Sequence, residues 1–171
     1  MNARTMTTLA TVGALALPGC TGSALQLPPA PAAETISWSV GPCFGFCPVY
    51  TVAVTPAGEV IFDGERHTTT LGRHVRQGGP QAYRAVQSAL ASYRPPSGTT
   101  AQTKCDQQAS DLSSYRITWT TPDGRVTTLE HNKGCRSSDN DRLNAVLDAL
   151  PAQAGVEELA KQLTRPGASR G

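Results

Sequence analysis

Residues 49–64, Val-Tyr-Thr-Val-Ala-Val-Thr-Pro-Ala-Gly-Glu-Val-Ile-Phe-Asp-Gly, decide the fold. Tyr50, Val52 and Val54 fall on one side and Thr51 and Thr55 on the other, the period-2 pattern of a half-buried strand. Pro56-Ala57-Gly58 supplies a short turn, and Val60 and Phe62 carry the apolar face onward. Asp63-Gly64 is the strongest local hairpin signal in the chain. A meander of antiparallel strands is therefore expected. Upstream, residues 36–40 (Ile-Ser-Trp-Ser-Val) alternate in the same way, and downstream the polar, Thr-rich 65–76 reads as an edge strand whose charges discourage unwanted pairing.

Gly79-Pro80 then opens a helix, with Pro at the first helical position, and Tyr83, Val86, Leu90 and Tyr93 recur at helical spacing until Pro95-Pro96. This stripe reads as core. A second hairpin follows: Tyr115, Ile117 and Trp119 share a face, Pro122-Asp123-Gly124 turns the chain, and 125–131 returns. Leu143, Val146, Leu147 and Leu150 keep helical phase behind the capping residues Ser138 and Asp139 and stop at Pro151. Val156, Leu159 and Leu163 suggest one more short helix. The order predicts an α+β domain over 36–150, in which an antiparallel sheet of about six strands is covered on one face by two or three helices. A short helix over 151–163 and an unstructured tail over 164–171 complete the expected organisation.

Five cysteines are present, and Cys20 stands apart from the rest. Arg4, a weakly apolar run over 6–17 and then Pro18-Gly19-Cys20 have the layout of an export signal, too short to remain as a span across about 30 Å of hydrocarbon. Leu17-Pro18-Gly19-Cys20 resembles a bacterial lipobox, which makes 1–19 a signal peptide and Cys20 the lipidated first residue. Pro18 is atypical there, and Gly22-Ser23-Ala24 offers a competing cleavage site that would discard Cys20. In the lipoproteins this segment resembles, Thr21 rather than Asp after Cys20 implies outer-membrane sorting. The expected location is the cell envelope, lipid-anchored at the outer membrane and facing the periplasm, with a soluble periplasmic or secreted form as the alternative. Residues 20–35, rich in Pro and Ala, read as a tether.

Cys43, Cys47, Cys105 and Cys135 remain, and four cysteines in an oxidising compartment are most simply two disulfides. Three connectivities exist; loop geometry favours Cys43 with Cys47 and Cys105 with Cys135, Gly45 letting the short loop turn back. A redox dithiol at Cys43 and Cys47 competes, but three residues intervene rather than two and no cation stands by to stabilise a thiolate. A metal site built from these cysteines and His131 would need reduced thiolates, so no metal is expected.

The run Gly41-Pro42-Cys43-Phe44-Gly45-Phe46-Cys47-Pro48-Val49-Tyr50 resembles a bacterial family, the domain of unknown function 6438. The similarity continues through residues 62–66, Gly72-Arg73-His74, the Cys105 segment, Ser110-Asp111-Leu112 and His131-Asn132-Lys133-Gly134-Cys135. The resemblance implies a small exported or lipid-anchored domain and no particular activity. Family members commonly place a Pro two residues after Thr-Asp, where this chain has Ser113 after Ser110-Asp111-Leu112, so a less rigid strand entry is implied.

Other chemistry has little support. The chain carries a formal charge of +2, and removing the segment before Cys20 deletes only Arg4, leaving 14 basic against 13 acidic side chains. That balance, without a basic run, argues against nucleic acid as a partner. No nucleophile elbow, Gly-rich phosphate loop or zincin motif occurs, and no cofactor is expected. Asp111 reads as an Asx-type turn residue, and His67, His74 and His131 read as exposed strand histidines. Phe44 and Phe46 either plug the core or form a recognition surface, and the core plug is favoured because exposed aromatic patches are rare.

The expected function is a non-enzymatic binding or structural module. It is held at the membrane by its lipid and binds an envelope protein, a glycan or a small ligand around Phe44, Phe46, Arg73, Asp111 and His131. The alternative is an enzyme, either a thiol oxidoreductase at Cys43 and Cys47 or a hydrolase using Asp111 and His131.

Overall fold

The computed structural model describes residues 33–163. The expected signal segment, Cys20, most of the expected tether and the expected 164–171 tail lie outside them. Seven strands form one sheet: β1 (Thr35–Val40), β2 (Val49–Val54), β3 (Glu59–Arg66), β4 (Gly72–Gln77), β5 (Thr100–Gln102), β6 (Ser114–Thr120) and β7 (Val126–Asn132). Their spatial order is β4-β3-β2-β1-β6-β7-β5, antiparallel throughout except for the parallel β5–β7 pair. The helices are α1 (Gly79–Leu90), continued by a 3-10 turn over Ala91–Tyr93, α2 (Ser138–Gln153) and α3 (Glu157–Ala160). The α+β architecture is as expected, with one strand more than the sequence suggested.

The alternating pattern does what it predicts. Ile36, Trp38 and Val40 on β1, Val52 and Val54 on β2, Val60 and Phe62 on β3 and Ile117 and Trp119 on β6 face one buried layer. Tyr83, Val86 and Leu90 of α1 and Leu143, Leu147 and Leu150 of α2 close it from above, which uses the helical stripes as read. The other face of the sheet carries Ser37, Ser39, Thr51, Thr118, Arg116 and Glu130, with Ser37 and Thr118 hydrogen-bonded and Arg116 paired to Glu130 at 2.8 Å. After edge strand β4 the chain crosses the covered face as α1 and re-enters at the opposite edge as β5.

Several local readings differ. Asp63-Gly64 is not a turn but lies inside β3, paired with Gly72 and Arg73 of β4. Gly64 is required there for space: a Cβ would come within 2.2 Å of the Thr70 carbonyl and 2.7 Å of Thr68 Oγ1. The turn comes later, where His67 adopts φ 59°, a left-handed conformation. The N-cap of α2 is Ser137, whose hydroxyl accepts from the Asn140 amide, rather than Ser138 or Asp139. Pro151 does not stop that helix. It sits in the last turn, where α2 runs on to Gln153, because only the bond to the residue four earlier is lost there. Leu163 is outside α3; its amide donates to the His67 carbonyl, and Thr68 pairs with Gln162 as an isolated bridge. The domain also begins before Ile36. Arg94 holds both oxygens of Glu34, and the Tyr83 hydroxyl donates to the Glu34 carbonyl at 2.7 Å, so Glu34 belongs to the fold and not to the tether.

Candidate functional site

The loop between β1 and β2 is the Cys43-Phe44-Gly45-Phe46-Cys47 run, closed by a Cys43–Cys47 disulfide. Gly45 has φ 151°, a conformation that side chains disfavour, and its amide donates to the Cys43 carbonyl, which folds the loop back as the Gly was expected to allow. The rest of the chain grips the loop at four points. The Gly41 amide donates to Ser114 O, the Phe44 amide to Asp111 O, Gln162 Nε2 to Phe46 O, and His67 Nδ1 to Cys47 O at 2.9 Å. Phe46 stacks on the His67 ring with centroids 3.8 Å apart.

The Phe44 ring is held by none of these contacts. It is 89 % exposed, which overturns the core-plug reading for this residue, while Phe46 is half-buried against His67. The physical reason is length: a loop pinched between two linked cysteines has no room to send both rings inward. Arg73 lies on edge strand β4, every residue of which is exposed. Asp111 is exposed too; Ser110 Oγ donates to its carboxylate at 2.9 Å, and its contribution to the loop is through its backbone.

His131 is not an exposed histidine. It is 2 % exposed on the covered face, with Thr103 Oγ1 2.9 Å from Nδ1 and Asn144 Oδ1 2.9 Å from Nε2. Asn144 also donates to the Lys133 carbonyl. An amide oxygen only accepts, so Nε2 carries the proton and Nδ1 accepts from the threonine hydroxyl. Burial holds this imidazole below its usual pKa, and the Lys133 charge pushes the same way against the Asn144 bond. Both ring nitrogens are thus occupied. Asp111 makes no hydrogen bond with His131 among the described residues, so the two members of the hydrolase pair are engaged separately. Cys105 and Cys135 form the second disulfide, beside this cluster, so both cysteine pairs that loop geometry favoured are present.

What the sequence reading missed lies between these elements. Tyr50 and Tyr115 each sit opposite Val40, on either side of β1, with 4 % and 6 % exposure. Their ring ends reach a concavity lined also by Cys47, Pro48, Leu112, Lys133, Asp148 and Gln162. Lys133 Nζ pairs with Asp148 and stands 5.9 Å over the Tyr115 ring. Burial pushes the Tyr50 hydroxyl up to about 12 and raises Tyr115 as well, and the Asp148 charge adds to both. The Trp38 indole N–H lies near the Tyr50 hydroxyl and partly offsets this, although outside hydrogen-bond geometry. The available signal was Lys133 and Tyr50 within the quoted motifs; Asp148, on the outer side of α2, gave none.

A model of a family described as a domain of unknown function (DUF6438) matches residues 34–154. No curated protein matches the sequence.

Proposed function

We propose that this chain, which belongs to the DUF6438 family, is a non-enzymatic binding module of the cell envelope, presenting the Cys43–Cys47 loop to another envelope component. The observation that carries this reading is Phe44, 89 % exposed at the tip of a loop that is covalently closed and hydrogen-bonded on both sides. A large aromatic on a preorganised loop loses little conformational freedom on binding and buries a large apolar area, the profile of an interface anchor. Cys20 serves as the lipid anchor at the outer membrane, supported by the Leu17–Cys20 segment and the tether behind it. Near-neutral charge supports a protein or glycan partner over nucleic acid.

The competing reading makes the same bridge a catalytic dithiol, and one experiment separates them. The mature protein is titrated in poised dithiol buffers, with alkylation and peptide mapping to follow each cysteine. A structural staple resists reduction to below about −300 mV, which is the expected result for Cys43–Cys47. Titration between about −120 and −230 mV places the pair among catalytic dithiols and sinks the binding-module reading. A photoreactive residue at position 44 in cells is expected to give a discrete adduct, while one at exposed Val126 gives none.

A further inference from the structure

Neither the Tyr50 nor the Tyr115 hydroxyl has a hydrogen-bond partner among the described residues, although the side chains that carry them are almost wholly buried. The hydroxyl oxygens themselves are not enclosed, since the buried side-chain polar atoms without a partner among the described residues are Trp38 Nε1 and Gln153 Oε1, so both phenols present free hydrogen-bonding capacity to whatever enters from outside. Both line one concavity of ≈ 290 Å³ between the sheet, α2 and the Cys43–Cys47 loop. We propose that this concavity is a binding site for a neutral, polyhydroxylated ligand, a single sugar ring, held by Tyr50 and Tyr115 on its floor and Lys133 and Asp148 at its rim. The inference rests on the binding-module reading and names a ligand class for the end of the sheet that carries the loop.

The class follows from what the lining offers. An anion would need a free cation, but Lys133 is already paired with Asp148, whose carboxylate repels a second negative group. A cation would need an aromatic face or an unpaired carboxylate, and Lys133 already stands over the Tyr115 ring. A purely apolar ligand would leave both hydroxyls unpaired. What remains is a molecule whose own hydroxyls both donate and accept: the two phenols, held neutral, do either, Lys133 donates and Asp148 accepts. Val40, Pro48 and Leu112 supply the apolar contact that sugar C–H groups need. The volume is near the lower end of the roughly 300–1,000 Å³ range of ligand sites, which admits one ring.

The test is ligand-observed and protein-observed NMR on the mature protein, with glucose, N-acetylglucosamine, acetate and trimethylammonium as probes. At least one of the two sugars is expected to bind saturably. Tyr50→Phe and Tyr115→Phe, which keep the packing, are each expected to weaken it about five- to tenfold, as for a lost hydrogen bond, and Val126→Ala not at all. The proposal is overturned if neither sugar binds, if acetate or trimethylammonium binds in their place, or if the double Tyr50→Phe/Tyr115→Phe variant binds sugar as well as the parent. A catalytic potential at Cys43–Cys47 with sugar binding intact defeats the binding-module reading alone. A staple with no sugar binding defeats this inference alone.

Discussion

Tyr115 and His131 stand directly opposite each other on β6 and β7, both on the covered face and both almost fully buried, yet the protein treats them in opposite ways. Every polar atom of the imidazole has a partner, supplied by Thr103 just past β5 and Asn144 from α2. The phenol, together with Tyr50 across β1, is enclosed just as far and then left open toward Lys133 and Asp148. Burial alone therefore does not mark a site. A polar cluster that closes on itself specifies the fold, because each member is fixed by the others. One that retains unspent hydrogen-bonding capacity next to a concavity is shaped for something that arrives from outside.

Each cluster has a disulfide beside it, and cutting them is the strongest way to break the comparison. Cys105–Cys135 spans 30 residues and ties the exit of β5, just past Thr103, to the end of β7, just past His131. Cys43–Cys47 spans four and closes the rim on which Cys47 and Pro48 line the tyrosine concavity. Chain entropy makes the longer closure worth about 3–4 kcal/mol and the shorter about 2. Cys105→Ala/Cys135→Ala should thus lower the unfolding free energy in urea by the larger amount and Cys43→Ala/Cys47→Ala by the smaller. The reverse order would mean that the motif loop, rather than the His131 side, is the structural keystone.

Asn144→Leu probes the closed cluster more finely. It leaves His131 Nε2–H without its acceptor and the Lys133 carbonyl without its donor, and about 1–3 kcal/mol should be lost. The pH dependence follows from the lowered pKa of His131. The unfolded chain takes up its proton first as pH falls through about 6.5, so stability is full above that value and declines as pH falls toward the folded pKa. Replacing His131 should remove this decline from urea melts recorded between pH 7.5 and 5. Asn144→Leu should extend it to lower pH, since the bond that favours the charged ring is gone. A melt whose pH profile ignores both changes would show that His131 does not titrate as a buried neutral ring.

Much of the architecture was legible because it depends on periodicity. Tyr50–Val54 and Tyr115–Trp119 alternate cleanly, and the Tyr83–Leu90 stripe needs only 3.6-residue spacing. The three residues of β5 carry too little pattern to announce a strand, and their pairing with β7 is set by where the α1 crossover lands. Asp63-Gly64 has the composition of a turn, but the glycine answers to Thr68 and Thr70, a contact made only once β4 has folded back. The candidate site failed to appear for a related reason. Cys47, Pro48, Tyr50 and Lys133 all belong to stretches that carry the family resemblance, yet their shared concavity is completed by Tyr115 and Asp148, whose sequence context is that of an ordinary core strand and a solvated helix face. Phe44 was misjudged because its type says buried, while the pinched loop around it has no interior to offer.

The smallest expected effect is the one that discriminates most. Tyr50→Phe and Tyr115→Phe remove hydroxyls that bond to nothing among the described residues, so each should change stability at neutral pH by no more than about 0.5 kcal/mol, against the larger loss at Asn144. The difference should open only in alkali. An unfolded tyrosine ionises near 10, whereas burial pushes Tyr50 up to about 12, so the parent protein loses stability as pH rises from about 10 toward that value. Tyr50→Phe has no such proton to lose, and its melts should decline less steeply there while matching the parent near pH 7. If Tyr50→Phe instead costs more than about 1 kcal/mol at neutral pH, the hydroxyl is satisfied by the protein in solution. The contrast with His131 would then collapse, because both clusters would be closed and the concavity beside the two tyrosines would be a packing defect rather than a place kept for a ligand.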